Sequence, residues 1–471
     1  MTQASVDVGF RSERGPVLIS LMLCVTLVAI DSTVIATAVP SVVEDLGGFS
    51  QFPWLFSIYL LAQAVSVPIY AKLADLYGRK PMMLLGIGLF LAGSILCGCA
   101  WSMPALIVFR ALQGLGAGAI QPMSLTIAGD IYSMAERGKV QGYMASVWGM
   151  SAVVGPALGG VFSEYLTWRW IFFINIPLCV LAATMLIRNL HEQVEHKKHQ
   201  LDYVGAALLT VGSTLLILGL LQGGEGWPWL SLAGVGIPSA GALLIAVFIQ
   251  VERRAAEPVL PLWVFRHRLL LTAGLVSLGV GAVLIGLTSY VPTFVQGSLG
   301  TGPLVAGFAL ATLTMGWPIS ASQSAKFYMR IGFRPTALIG SAIAILGTFL
   351  MTLLSTSSSV WSVAVFCFLI GAGMGLVASP TLIAAQATVG WSERGVVTGN
   401  NLFSRSMGMA VGVAVFGAIA NSTLPSGTDT HSAADLATAS NHVFIGVAVM
   451  AVLMGVAVAF MPAVRATDSP A

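Results

Sequence analysis

AKLADLYGRKP, residues 71–81, and AKFYMRIGFRP, residues 325–335, are two versions of one segment, with Ala, Lys, Gly and Pro recurring in register. The echo extends outward at an offset of 257 residues. AERGKVQG, ending at Gly142, pairs with SERGVVTG, ending at Gly399; GLGAG from Gly114 pairs with GAGMG from Gly371; LVAIDS from Leu27 pairs with LIGLTS from Leu284. The chain is therefore a duplicated unit, and each copy is a control for the other. What both copies share is scaffold; what one copy alone carries is a candidate for specialised work. Asp31 faces Thr288 across the repeat, Arg110 faces Cys367, Asp75 faces Met329 and Pro156 faces Val413.

Composition decides the class. Of 471 residues, 56% are hydrophobic and 9% are charged, against about 25% charged in a soluble domain. Apolar runs of about 20 residues, each long enough to cross a bilayer as a helix, lie near 16–39, 53–72, 82–100, 104–128, 141–162, 170–188, 203–221, 229–250, 269–295, 303–324, 335–354, 360–385, 396–420 and 441–461. Helices are required because lipid offers backbone groups no partners. The alternating strands of a β-barrel are absent. The expected fold is an all-α integral membrane protein with fourteen spans. Two six-helix bundles, residues 1–190 and 269–471, form a parallel repeat, and residues 191–268 supply polar linkers and two inserted helices.

Charge placement gives the orientation. One Lys or Arg, Arg169, falls in the odd-numbered connections, nineteen fall in the termini and even-numbered ones, and Arg110 and Arg405 lie inside spans. The positive-inside rule puts both termini in the cytoplasm, which an even span count permits. A net charge of +3 is too small to point to nucleic acid. Cys24, Cys97, Cys99, Cys179 and Cys367 all fall in apolar runs and read as small fillers. Arg11 and Arg14 before the first apolar run imitate a signal peptide, but a carboxylate inside that run and thirteen further spans favour an uncleaved first helix.

Few residues could carry chemistry. Asp31 is the only acid deep in a span, and Arg110 is the only base in a span of the first bundle. Each lies about eight residues, or roughly 12 Å, from the same outer boundary. An unpaired charge at such depth costs about 2.5–3.5 kcal/mol or more, so the two are expected as neighbours around a wet cavity. Burial favours a protonated carboxylate and a close cation favours an ionised one; such opposed effects suit a group that loads and releases protons. The alternative is an ion pair that only fixes packing. Lys72–Lys80 reads as a tight cytoplasmic turn in which Gly78 supplies backbone freedom and Arg79 and Lys80 anchor the inner face. Asp75 there can sit against a helix N-terminus, with the start of the thirteenth span near Gly395 as the candidate. In GPALGG, residues 155–160, the glycines Gly155, Gly159 and Gly160 permit close helix approach and Pro156 removes a backbone hydrogen bond. GLGAG has no preceding strand and reads as helix packing, and no phosphate-loop motif is present, so nucleotide use is not expected. Arg405 has no acidic partner in its own bundle. Gln113, Trp148, Thr288 and Arg405 are the cavity candidates.

Together these segments resemble the major facilitator superfamily. The span count and the inserted pair narrow the resemblance to the drug:proton antiporter family 2, the multidrug exporter branch. The residues that carry it are LVAIDSTVIATAVP around Asp31, KLADLYGRK with Ala71 where Gly is usual, RALQGLGAG from Arg110, WGMSAVVGPALGG from Trp148 and WRWIFFINIP from Trp168. The resemblance implies proton coupling by Asp31 and Arg110. It implies a conformational latch made by Lys72, Asp75, Gly78, Arg79, Lys80 and Asp130, and an antiporter motif at Gly155, Pro156, Gly159 and Gly160. The expected protein is a monomeric antiporter of the bacterial cytoplasmic membrane, taking small amphipathic molecules and protons and using no cofactor. The C-terminal half lacks the second intramembrane acid that some relatives use for dications. A dedicated exporter of one metabolite, siderophore or lipid is the nearest alternative. A membrane sensor or a membrane-embedded enzyme is the alternative of another class, although the sequence offers neither a sizeable signalling domain nor a catalytic cluster.

Overall fold

A chain this apolar must satisfy its backbone within each segment, and every regular element among the described residues is helical. The computed structural model describes residues 8–47, 51, 54–192, 202–223, 227–255, 258–423 and 432–463, with the side chains of residues 36, 37, 40, 153, 156, 157, 163, 221, 303, 304 and 421 also left aside. Residues 193–200 of the polar linker and residues 424–431 lie outside that set. The helices are α1 (Gly15–Leu46), α2 (Trp54–Tyr77), α3 (Arg79–Gly98), α4 (Met103–Ile131), α5 (Met134–Tyr165), α6 (Trp170–Phe173), α7 (Asn175–Asn189), α8 (Tyr203–Gln222), α9 (Leu232–Glu252), α10 (Trp263–Arg266), α11 (Arg268–Thr293), α12 (Pro303–Ile331), α13 (Phe333–Met351), α14 (Val360–Ala387), α15 (Arg394–Thr423) and α16 (Ala433–Ala459).

Thirteen described segments are long and apolar enough to cross a membrane. The remaining expected span, near 141–162, lies within the 32-residue helix α5, whose first ten residues, MAERGKVQGY, are polar. Other differences from the sequence reading are local. The sixth span is broken, a single turn α6 preceding α7. In the connection 252–268, one helical turn, α10, is formed among the described residues.

Lys72–Lys80 is not a loop. Its charges resemble one, yet α2 continues to Tyr77 and α3 begins at Arg79. Gly78 alone turns the chain, with φ 99°, a conformation closed to residues with a Cβ. The second copy repeats the device: Gly332, φ 91°, is the only residue between α12 and α13.

The chain divides into two compact units. The first holds Met1–Thr214, Leu244–Pro261 and Val389–Asn400; the second holds Leu215–Leu243, Leu262–Thr388 and Asn401–Ala471. The first has two apolar cores, one around Leu18, Phe90, Met123 and Leu186, the other around Val34, Leu55, Leu106 and Phe172. The second is organised around Val280, Leu287, Phe294, Met374, Phe416 and Val447. GLGAG lies inside α4 as packing surface: a Cβ on Gly116 would come within 2.3 Å of the Phe90 amide nitrogen on α3. Cys24, Cys97, Cys179 and Cys367 are buried, whereas Cys99 is exposed just past the end of α3.

Candidate functional site

The first unit contains two polar assemblies. In the first, α1 supplies Asp31 and α4 supplies Arg110 and Gln113, three residues apart and so on one face. Arg110 Nη1 donates to Asp31 Oδ2 at 2.6 Å and to Gln113 Oε1 at 2.7 Å. Gln113 Nε2 donates to Asp31 Oδ1 at 2.7 Å and to Ser94 Oγ on α3, also at 2.7 Å. Because a guanidinium only donates, the amide orientation of Gln113 is fixed. Asn175 of α7 donates to Ser94 Oγ at 2.9 Å, and Arg110 Nε donates to the Leu55 carbonyl of α2 at 3.2 Å. The guanidinium carbon also lies 4.1 Å from the Tyr59 ring centroid. Five helices thus converge on one pair. Asp31 is 3% exposed and Arg110 is 1% exposed, so in this conformation protein surrounds them on all sides.

The counterparts in the second unit show the same scaffold without these charges. Cys367 is buried in the apolar core, and Thr288 turns its hydroxyl to the Leu284 carbonyl of its own helix at 3.0 Å.

The second assembly lies where α2 meets α3. The Asp75 carboxylate accepts from the backbone amides of Gly395 at 2.9 Å and Val396 at 2.8 Å, in the first turn of α15, where the helix dipole favours an anion. A Cβ on Gly395 would lie 2.4 Å from Asp75 Oδ1, so the bare backbone is what allows the approach. Arg79 donates to Asp75 Oδ1 at 2.8 Å and to the Trp391 carbonyl, and its guanidinium carbon lies 3.7 Å from the Trp391 ring centroid. Its Nε pairs with Asp130 Oδ2 at 3.2 Å, and Arg394 Nη1 reaches Asp130 Oδ1 at 3.0 Å. Asp130 therefore lies between two arginines. Glu192 accepts the amides of Arg79 and Lys80 at 2.9 and 2.8 Å, capping α3. Lys80 Nζ returns the favour to α7, donating to the carbonyls of Ile187 and Leu190 at 2.9 and 2.7 Å. A cavity of about 170 Å³ opens between Arg79, Asp130, His191, Glu192 and Trp391. Lys72 makes no ion pair with a described residue.

The other expected residues are dispersed. Gly155 faces α1, where a Cβ would lie 2.0 Å from Thr33 Oγ1; Gly160 has nothing within 4 Å; Gly159 is buried. The Pro156 side chain lies outside the described residues. Trp148 packs on the larger core of its unit. Arg405, in the second unit, keeps a buried Nε without a hydrogen-bond partner, its guanidinium carbon 5.8 Å from the Trp317 ring centroid. Sequence reasoning did not find Ser94, Asn175, Glu192, Trp391 or Arg394. Of these, Arg394 had a signal, since it repeats Arg137, and both reach the Gly129 carbonyl.

Comparison with known proteins adds the family. The Major Facilitator Superfamily model matches residues 21–413. Multidrug resistance protein 3 of Bacillus subtilis is 36% identical over 404 residues, covering 86% of this chain and 79% of the relative. Multidrug transporter protein MdtP of the same organism is 34% identical over 413 residues, covering 88% and 76% respectively. Among solved structures, the human organic anion transporter MFSD10 superposes with a TM-score of 0.69 at 15% identity, covering 95% of this chain and 99% of that one. The proton:xylose symporter XylE gives 0.67 at 13% identity, covering 96% of each. At such identity the two structures speak to the fold.

Proposed function

The chain belongs to the Major Facilitator Superfamily, and from that premise we propose that it is a proton-coupled exporter of amphipathic small molecules such as drugs, working by alternating access. The observation that carries this reading is the Asp31–Arg110–Gln113 assembly, buried in one copy of a duplicated scaffold whose other copy does without it. Charges kept inside a membrane need a compensating role. Arg110 stays protonated, so Asp31 is the group of the pair whose proton can come and go. Its burial means that the helices around it must part for a proton to enter or leave. Export, as against uptake, is supported by the name of the Bacillus subtilis multidrug resistance protein.

In this reading the second assembly is the latch. Asp75 holds the first turn of α15 through two backbone amides, and Arg79, Asp130 and Arg394 hold the carboxylate and the turn in register. Opening that end means giving up two charge-assisted hydrogen bonds, each worth about 1.5–3 kcal/mol, and proton and substrate exchange must supply the difference. The protein works as a monomer in a bacterial cytoplasmic membrane, with both termini and the α2–α3 turn on the cytoplasmic side. The charge bias of the connections supports that orientation.

The test is accumulation of a fluorescent amphipathic drug in inverted vesicles under an imposed pH gradient. Wild type accumulates it, and Asp31→Asn binds but does not accumulate. Uphill pumping by Asp31→Asn at the wild-type rate would make the pair structural and the coupling model wrong.

A further inference from the structure

Arg405 is the twelfth residue of the 30-residue helix α15 and lies about 17 Å along it, close to the middle of a hydrocarbon layer roughly 30 Å thick. Trp317 is the fifteenth residue of the 29-residue helix α12, at about the same depth. The register of the duplicated segments sets Trp148 opposite Arg405, so the scaffold does not require a cation at this position. A guanidinium at mid-membrane is costly unless paired. Arg110 meets that demand with Asp31, Gln113 and the Leu55 carbonyl. Arg405 meets it with nothing: no ion pair or hydrogen bond joins its guanidinium to a described residue, and its Nε is buried and unsatisfied. The residue as a whole is partly buried. Its one contact of note is the aromatic ring of Trp317.

A planar fork with free donors is matched by a planar, two-oxygen anion, and a ring set beside it is matched by a second ring. We propose that Arg405 and Trp317 form a subsite for an aromatic anion, the carboxylate or an equivalent acid group pairing with Arg405 and the ring system lying against Trp317. The subsite rests on the reading of the chain as a carrier of small molecules, and it narrows their class. Lipid headgroups are not the occupant, because mid-membrane depth is beyond the reach of the phosphate layer. The substrate is itself partly apolar, which allows it to enter an apolar helix bundle.

Binding without any pH gradient separates this inference from proton coupling. Purified protein in nanodiscs is titrated with 2-naphthoate, 2-naphthamide and trimethyl(2-naphthyl)ammonium, three probes sharing a ring and differing in charge. Wild type is expected to bind naphthoate about ten-fold or more tighter than the amide, the value of one charge-assisted pair, and the ammonium most weakly. Arg405→Gln should erase the preference for the acid. Trp317→Leu should weaken acid and amide alike, several-fold, and it serves as the test should Arg405→Gln not fold. Equal binding of acid and amide by wild type, no binding of either, or a preference that survives Arg405→Gln overturns the proposal, as does unaltered naphthoate affinity in Trp317→Leu. A preference that depends on Arg405, found alongside transport that ignores the pH gradient, supports the subsite and counts against antiport.

Discussion

Gln113 donates to Asp31 Oδ1 at 2.7 Å while Arg110 donates to Oδ2 at 2.6 Å, so the carboxylate is held at both oxygens by two side chains of one helix. Such a grip fixes the carboxylate's position as well as its charge. Under the proposed coupling, moving a proton at Asp31 would involve Gln113, and through it Ser94 and Asn175 on two further helices.

Arg110→Ala leaves a carboxylate buried without its cation. Removing one partner of a buried pair typically costs about 3–5 kcal/mol. The single variant should show a large loss of thermal stability, and the double variant Arg110→Ala with Asp31→Asn should recover much of it. Additive losses in a double-mutant cycle would mean that the pair is energetically uncoupled.

Gln113→Leu strips the bridge but keeps the ion pair. It leaves Asp31 Oδ1, Ser94 and Arg110 each one partner short, and a lost hydrogen bond of this kind costs about 1–3 kcal/mol. Thermal unfolding should fall accordingly, and Gln113→Glu, which sets a second acid beside Asp31, should change the pH profile of transport as well. A profile identical to wild type for the Glu variant would remove Gln113 from the coupling assembly.

At the proposed latch, Gly395→Ala and Asp75→Asn attack one contact from opposite sides. The alanine methyl would stand 2.4 Å from Asp75 Oδ1, and the amide of Asn can accept with only one of its two atoms. Both variants should stay folded, slow turnover about ten-fold, equivalent to about 1.4 kcal/mol, and speed hydrogen exchange in the first turn of α15. Wild-type turnover in both would exclude the clasp from the rate-limiting motion.

Asp45 gives a pH prediction outside the spans. Hydrogen bonds from Arg169 at 2.7 Å, and then from the Trp168 indole at 3.0 Å, hold its carboxyl below the usual range. A lowered folded value means that this contact stabilises the protein above about pH 3.9, the ordinary value for Asp, and is lost as pH falls through the lower folded value. Trp168 emission should be flat at neutral pH and change only in that acid range, and Asp45→Asn should abolish the transition. Because the pair is partly exposed to solvent, the effect on global stability should be small.

Some of this could be read from sequence, for physical reasons. Charges are so rare in apolar helices that Asp31 and Arg110 identify themselves, and equal depth from a common boundary brings them together. Duplication marks Gly78 and the start of α15 near Gly395. Ser94 and Asn175 stay hidden, because a neutral polar residue in a helix reveals nothing until its partner on another helix is known. Glu192 is one acid in a charged linker, and no sequence pattern distinguishes a helix cap from its solvated neighbours. The run Lys72–Lys80 misleads because its charge density imitates a loop, whereas the helices simply extend beyond the apolar layer.

Gly78, as the sole joint between α2 and α3, also fixes their rotational phase. Each residue of an α-helix turns it by about 100°. One residue inserted at the joint would swing α3 by that angle and carry Ser94 away from Gln113, although the insertion itself lies at the far end of the helix. The α2–α3 connection is thus intolerant of length change in either direction. Any natural or engineered variation in chain length must be placed at other connections.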